Sequence, residues 1–408
     1  MKRVVVTGMS SITALGENWA SFESALKKKK NAVIRMPEWQ DVKGLHSDLA
    51  APISDFSVPE HYTRKKTRSM GRLSLMATRS AEIALEESQL LGTDVLTNGD
   101  TGVAYGSSIG STPPLIGFGD LLKHHDMSGM TATSYIKMMN HTSAVNIGVF
   151  FGIKGRIHTT SSACTSGSQG IGYAYEAIKF GKQKVMVAGG GDELCLSEVA
   201  VFDTLFATST KLEHPELTPR PFDVDRDGLV IGEGASTLIL EEMEHAIARG
   251  APILAEVVGF GTNSDGLHVT QPNNETMAVS MRLALQDAGL SAQDIGYVSA
   301  HGTATGKGDI AETRATSSVM GSNMPVSSLK SYLGHTLGAC GAIEAWASIH
   351  MMNNNWFAPT IQLKNVDPLC GELDYIVGDG AVIETDFVMS NNFAFGGINT
   401  SLIFKRTV

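Results

Sequence analysis

Hydrophobic positions along the chain follow two periods. Short Val-, Ile- and Ala-rich runs predict strands over 3–7, 101–105, 156–160, 184–188 and 235–240. The same pattern predicts strands over 253–259, 296–300, 325–329, 386–390 and 401–405. Several are apolar on both faces, as in the centre of a sheet covered by helices. Between them, residues 73–90 carry Leu, Met, Ala and Ile at helical spacing. Residues 276–288 do the same and stop at Gly289. This alternation predicts an α/β fold with largely parallel strand pairing.

A strand running into a glycine turn opens the chain at Val4 to Gly8 and returns at Glu256 to Gly261. A charged helical stretch over 241–250, then Ala251 and Pro252, precede the second copy. The pattern predicts two related halves, 1–250 and 251–408. Lys27, Lys28, Lys29 and Lys30 read as a solvated run at a helix end, where cations suit the helix dipole.

Across 408 residues, 32 Lys+Arg against 42 Asp+Glu leave a formal charge of −10. That balance argues against nucleic-acid binding, which needs basic surface to displace counterions. With 42% hydrophobic and 18% charged residues, the chain has the makings of a large buried core. No run reaches the ~18 apolar residues of a membrane span, and the opening apolar stretch is too short for a signal peptide. A cytoplasmic protein without membrane association is expected. Cys164, Cys195, Cys340 and Cys370 have no short spacing, so neither a zinc finger nor a disulfide framework is expected.

The segment Ser161-Ser162-Ala163-Cys164-Thr165-Ser166-Gly167 lies between a predicted strand and a helical stretch over 168–180. A cysteine at such a turn faces N–H groups at the positive end of a helix dipole, which lowers a thiol's pKa. Local pattern leaves two readings open: an activated nucleophile or a buried structural cysteine. The structural reading fits Cys195 and Cys370, and Cys340 reads as a small residue at close helix packing. His301 follows the strand over 296–300, His335 opens a helix, and Lys330 ends the strand over 325–329. Open α/β sheets place their active sites at such strand ends. A charge there is costly unless paired or used.

Other chemistries fit poorly. Neither histidine has a partner at metal-ligand spacing, so no metal site is expected. Gly302 to Gly308 has three residues rather than four between its first glycines and no Ser or Thr after Lys307, so it fails as a phosphate loop. Gly106-Ser107-Ser108-Ile109-Gly110 satisfies a serine-hydrolase elbow, but Ser111-Thr112-Pro113-Pro114 follows where a helix must begin at once.

Taken together, these segments resemble the β-ketoacyl-acyl-carrier-protein synthases, types I and II, of the thiolase-like superfamily. The resemblance runs through Ser162 to Gly167, Arg220-Pro221-Phe222-Asp223, Arg226-Asp227-Gly228 and His301 to Thr305. It continues through Lys330, Gly334 to Ala339 and Asn392 to Gly397, covering nearly the whole chain. It implies a thiolase-like fold: two duplicated βαβαβαβ halves in a five-layer α-β-α-β-α arrangement. The Cys would lie in the first half and both His in the second, in an obligate homodimer.

The implied activity is that of a 3-oxoacyl-[acyl-carrier-protein] synthase. Cys164 would take an acyl group from a carrier protein, with the N–H groups of Cys164 and Phe395 as oxyanion hole. His301 and His335 would stabilise the enolate formed when malonyl-carrier-protein loses CO₂. Lys330 would set the local electrostatics and help position His335, and Glu344 would be a supporting carboxylate. Phe395 and Phe393 would gate acyl entry, while Thr303 and Thr305 would bind the pantetheine arm. Ile109 would sit at the floor of the acyl pocket. No cofactor is implied beyond the carrier's phosphopantetheine.

The pair of histidines argues for carrier-bound elongation, since type III synthases carry His and Asn and degradative thiolases carry His and a second Cys. An acidic enzyme needs a local basic patch for an acidic carrier; Arg64, Lys65, Lys66 and Arg68 match the family's docking position. Leu229 stands where an aromatic is usual, Ala394 where Gly is usual and Ile398 where Thr is usual. The Ala394 Cβ would restrict the gating loop. Housekeeping fatty acid elongation, a specialised pathway such as aryl polyene synthesis, and a non-catalytic chain-length partner all remain as readings, the last one opposed by the presence of Cys164, His301 and His335. A heterodimer with a chain-length partner is the alternative assembly.

Overall fold

The computed structural model describes residues 1–407. Its architecture rests on β1 (Val4–Thr13), β2 (Thr101–Gly106), β3 (Ile157–Thr160), β4 (Val185–Asp192), β5 (Gly234–Glu242) and β6 (Ala255–Ser264). The series continues with β7 (Tyr297–Ser299), β8 (Pro325–Ser327), β9 (Asp374–Tyr375), β10 (Phe387–Ala394) and β11 (Ile398–Lys405). They hydrogen-bond in the order β9-β8-β7-β10-β11-β6-β1-β5-β4-β2-β3. Read outward from the centre, β1-β5-β4-β2-β3 is matched by β6-β11-β10-β7-β8, so the topology of one half repeats in the other. The ten strands read from the sequence are all present; β9, only two residues long, was invisible to a pattern that needs several.

Strand directions depart from the largely parallel expectation. β2 is parallel to β3 and β4, and β7 is parallel to β8 and β10. β1 is antiparallel to both β5 and β6, as are β4 to β5, β10 to β11 and β11 to β6. The reason is local in one case: only Phe395, Gly396 and Gly397 separate β10 from β11, and a connection that short permits a hairpin alone. Apolarity on both faces reports burial, not direction.

Alternating side chains sort the sheet into layers. On β2, β4 and β5, Val103, Tyr105, Val187 and Ile239 face an outer core with Met76, Ala81 and Ile147. Those last residues belong to helices α1 (Arg72–Glu87) and α2 (Thr142–Phe151). Their neighbours Ala104, Ala188, Leu238 and Leu240 face the central core, shared with Tyr297, Val388, Leu402 and Phe404 of the second half. Two helices fill that centre, α3 (Ser166–Lys179) and a later one, Cys340–Asn353, contributing Ile171, Ile178, Ile343 and Trp346. Val298, Met389 and Ile403 turn the other way, onto a second outer core beneath Asn274–Ala288 and Gly306–Met320. The result is α-β-α-β-α.

In chain order the remaining helices used below are α4 (Leu196–Thr204), α5 (Asn274–Ala288), α6 (Gly306–Met320) and α7 (Cys340–Asn353). Close approach of the two central helices explains one glycine: a Cβ on Gly167 would lie 2.8 Å from the carbonyl oxygen of Gly338. That contact brings the start of α3, after β3, against the start of α7, after β8. The third strands of the two halves thereby deliver their following loops to one place.

Candidate active site

Cys164 lies in a single 3-10 turn, Ala163–Thr165, between β3 and α3. Side chains brace the turn: Thr160 Oγ1 donates to the Ser166 carbonyl at 2.7 Å, and Ser166 Oγ donates to the Ala163 carbonyl at 2.7 Å. From the other half, the Cys340 thiol donates to the Cys164 carbonyl across 3.3 Å. The Cys164 sulfur is buried and faces its own backbone N–H and that of Phe395. The expected lowering of its pKa is not found. Burial pushes the thiol up to about 11, outweighing the opposing pull of Lys330 and of the two N–H groups.

His335 Nε2 stands 3.0 Å from the Cys164 sulfur. Its Nδ1 accepts a hydrogen bond from the Leu337 N–H at 3.2 Å, which places the ring proton on Nε2. The His301 ring lies 5.1 Å from that of His335, nearly perpendicular at 87°. His301 Nδ1 accepts from the Lys330 ammonium at 3.2 Å, with the Asn392 amide 3.4 Å away, so its Nε2 also carries the proton. Burial, then the Lys330 charge, hold both imidazoles well below their ordinary pKa. Two neutral N–H donors therefore face the sulfur.

Lys330 corrects two expectations. It does not end a strand: β8 stops at Ser327, and Lys330 opens the helical turn Lys330–Leu333. It positions His301 rather than His335. Its Nζ is ion-paired with Glu344, whose other oxygen accepts from Asn392 Nδ2 at 2.7 Å. Burial opposes the Lys330 charge, but the paired Glu344 carboxylate keeps the side chain cationic. A buried ammonium is tolerated because it is paired and hydrogen-bonded.

A cavity of about 420 Å³ opens onto this group, lined by Cys164, His301, His335, Thr303, Thr305 and Phe393 among others. Thr303 and Thr305 join their hydroxyls at 2.9 Å. Phe393 is buried with its ring 6.3 Å from His301; Phe395 is half-buried against Phe202 at 5.1 Å, and both line the cavity. Leu229 lines it too, buried in a cluster with Phe202 and Phe395. Ile109 does not: it is half-buried in the loop after β2, outside the lining, so this chain alone does not place it at a pocket floor. Ala394 ends β10 paired with Ile398, in backbone any residue adopts. The positive-φ residues of that loop are Gly396 and Gly397, at φ +86° and +70°.

Arg64, Lys65, Lys66 and Arg68 are exposed on and after the short helix Arg64–Thr67, and none forms an ion pair among the described residues. Lys66 rests over the Phe150 ring at 4.9 Å. They border the outer α1–α2 layer and are not part of the cavity lining. Cys195 and Cys370, expected to be buried, are only partly so.

The sequence reading gave no role to three residues. Asn392 anchors Glu344 and faces His301. Glu312 accepts the N–H groups of His301 and Gly302 at 2.6 and 2.7 Å, and burial pushes its pKa up to about 8. Asp192 accepts the Gly338 N–H at 2.6 Å and both the N–H and hydroxyl of Ser108. Asn392 stood in a quoted motif, and Asp192 ends a glycine-rich strand; Glu312 carried no signal beyond its place on the helix after His301.

One ligand atom each from Cys164, His301 and His335 lie within 4.8 Å of one another, a spacing a metal could bridge. A metal-bound imidazole donates from its other nitrogen to an acceptor. Here Lys330 and the Leu337 N–H are donors aimed at Nδ1, so each Nε2 holds a proton and offers no lone pair. The donor set suits an anion, not a cation.

Residues 1–246 match the model of the β-ketoacyl synthase N-terminal domain, and residues 254–364 that of the C-terminal domain. The 3-oxoacyl-[acyl-carrier-protein] synthase 1 of Haemophilus influenzae is 35% identical over 409 residues, covering 100% of this chain and 99% of the relative. A crystal structure of a β-ketoacyl synthase from Burkholderia phymatum superposes with a TM-score of 0.99 at 59% identity, covering 100% of both chains. The AntDE:AntF complex, a type II PKS acyl-carrier protein with its ketosynthase bound to the hexaketide, gives 0.89 at 28% identity over 100% of both chains. Among the described residues, no helix is long and apolar enough to cross a membrane.

Proposed function

The chain belongs to the β-ketoacyl synthase family, and from that premise we propose that it is a 3-oxoacyl-[acyl-carrier-protein] synthase. It condenses a Cys164-bound acyl group with malonyl-acyl carrier protein in fatty acid elongation. The observation that carries the reading is a buried thiol 3.0 Å from the Nε2 of one neutral imidazole, with a second neutral imidazole beside it.

In the first half-reaction the acyl carbonyl oxygen lies between the N–H groups of Cys164 and Phe395, which already face the sulfur. The Cys164 sulfur forms a bond to the carbonyl carbon, and the bond to the carrier's sulfur breaks. The proton of Cys164 ends on the departing pantetheine thiol. No net proton is consumed.

In the second, the malonyl thioester carbonyl meets the two Nε2–H groups. Loss of CO₂ leaves the bonding pair on the enolate, with charge on that oxygen. Neutral donors fixed in place stabilise the enolate more than the carbonyl it comes from, which lowers the barrier. The enolate carbon then attacks the acyl-Cys164 carbonyl, and the released sulfur takes a proton from solvent. Lys330 keeps His301 Nδ1 occupied, so the proton stays on the nitrogen that faces substrate. Thr303 and Thr305 hold the arm, Phe393 and Phe395 gate it, and no cofactor beyond the carrier's phosphopantetheine enters the chemistry.

The partner is an acidic acyl carrier protein that docks on Arg64, Lys65, Lys66 and Arg68. The assembly is a homodimer. Among the described residues β3 ends the sheet with one edge unpaired, and Ile157 on it and Val149 on α2 are 44% and 72% exposed. An open apolar edge is a liability unless a second chain covers it. We read the enzyme as cytoplasmic, where carrier-bound acyl groups are elongated. Incubation with acyl- and malonyl-carrier-protein should yield a 3-oxoacyl-carrier-protein and one CO₂ per turnover; product without CO₂ release would reject the decarboxylative route.

A further inference from the structure

α4 ends at Thr204 with Leu205 as its cap, and the next residue, Phe206, adopts left-handed backbone with φ +52°. Its N–H donates to the Asp203 carbonyl at 2.9 Å, and the Ala207 N–H returns to the Phe202 carbonyl at 3.0 Å. Glycine takes this helix-ending position freely, whereas a side chain meets steric resistance there. Burial does not compensate, because Phe206 is 81% exposed. The ring tilts against His46 at 5.7 Å, itself held by Asp203 at 2.8 Å. Phe206 nevertheless lines the rim of the Cys164 cavity together with Leu205 and Val269, which are 45% and 68% exposed.

A conformation that neither local preference nor packing explains marks a functional position. An exposed apolar rim around a cavity marks the place where a ligand enters. The cavity, about 420 Å³, admits a carrier's arm but not a folded carrier. The part of the arm that remains at the rim is therefore its outer half, next to the carrier. That half contains a quaternary carbon bearing two methyl groups, then a hydroxyl-bearing carbon and an amide.

We propose that Phe206 is a specificity-determining residue that receives the dimethyl segment of the pantetheine arm at the mouth of the cavity, while the thioester end reaches Cys164. The inference rests on the synthase reading above. Packing an aromatic face on that segment ties affinity for the thioester to the presence of the whole arm, and it leaves the reacting atoms untouched.

Three acyl donors of equal chain length separate the possibilities: acyl-carrier-protein, acyl-pantetheine and an acyl-N-acetylcysteamine thioester, which lacks the dimethyl segment. In Phe206→Gly, KM for the first two should rise about tenfold with kcat within about twofold of the parent. KM for the truncated thioester should change by no more than about twofold. Phe206→Tyr, which keeps the aromatic face, should restore both KM values. A thermal midpoint of Phe206→Gly at or above the parent's would show that the ring does not hold the fold together. An unchanged KM for acyl-pantetheine overturns the proposal, as does an equal rise for all three donors. Failure of the unmodified protein to acylate Cys164 from any donor would instead reject the synthase reading.

Discussion

The Lys330 ammonium donates to Nδ1 of His301 across 3.2 Å and, with the Asn392 amide 3.4 Å away, leaves the ring proton on Nε2. Lys330→Met removes the donor and leaves Glu344 without its cation. Release of CO₂ from malonyl-carrier-protein should then fall by about 10²–10³, in the range of one lost oxyanion donor. Because breaking a buried pair destabilises a protein, Lys330→Met with Glu344→Gln should recover the thermal midpoint without recovering decarboxylation. Recovery of both would make Lys330 a structural residue only.

His335 touches the nucleophile, yet its proposed work lies in the second half-reaction. His335→Ala should still form the acyl-enzyme, within about tenfold of the parent rate, and lose decarboxylation by about 10²–10³. Acyl transfer is read by mass spectrometry of the intact protein, decarboxylation by labelled CO₂. Equal loss of both would reject the division of labour.

The Cys164 thiol, pushed up to about 11 by burial, stays protonated at neutral pH. Only the thiolate alkylates, so the rate of Cys164 labelling by iodoacetamide should climb with pH and show no plateau below about pH 9. Lys330 opposes the rise; its removal should therefore slow labelling at every pH in that range. A plateau below neutrality would mean that the helix start and Lys330 overcome burial after all.

The basic residues after Thr63 are exposed and form no ion pairs among the described residues, which leaves their charges available to an acidic carrier. Lys65→Glu with Arg68→Glu should raise KM for acyl-carrier-protein by about tenfold, and added salt should weaken the parent in the same direction. KM for acyl-pantetheine should not move. An unchanged KM for the carrier would remove this patch from its docking site.

What the sequence conveyed about the site was position. A strand, a turn and a helix around Cys164 follow from local pattern, and so does the post-strand placement of His301; Lys330, read as ending a strand, opens a helical turn instead. Energetics were out of reach, because they come from residues distant in the chain. Cys340 and His335 close over Cys164 from 176 and 171 positions away, and the burial they complete reverses the expected effect on the thiol. The partner of Lys330 depends on the route of the chain after β8, where a turn aims Nζ at His301 instead of His335. Ile109 was placed by resemblance, and this chain alone does not bring it to the cavity. The register that pairs Ala394 with Ile398 at the end of β10 is likewise not visible in composition. Strand direction was hidden for a similar reason, since β4, β5, β10 and β11 look alike whether they run with or against their neighbours.

Mass spectrometry of the protein after exposure to acyl-carrier-protein alone tests the central claim most directly. The account predicts a covalent acyl adduct on one peptide, the one containing Cys164, and its disappearance in Cys164→Ala. An adduct that survives in Cys164→Ala, or one that maps to another residue, would contradict it.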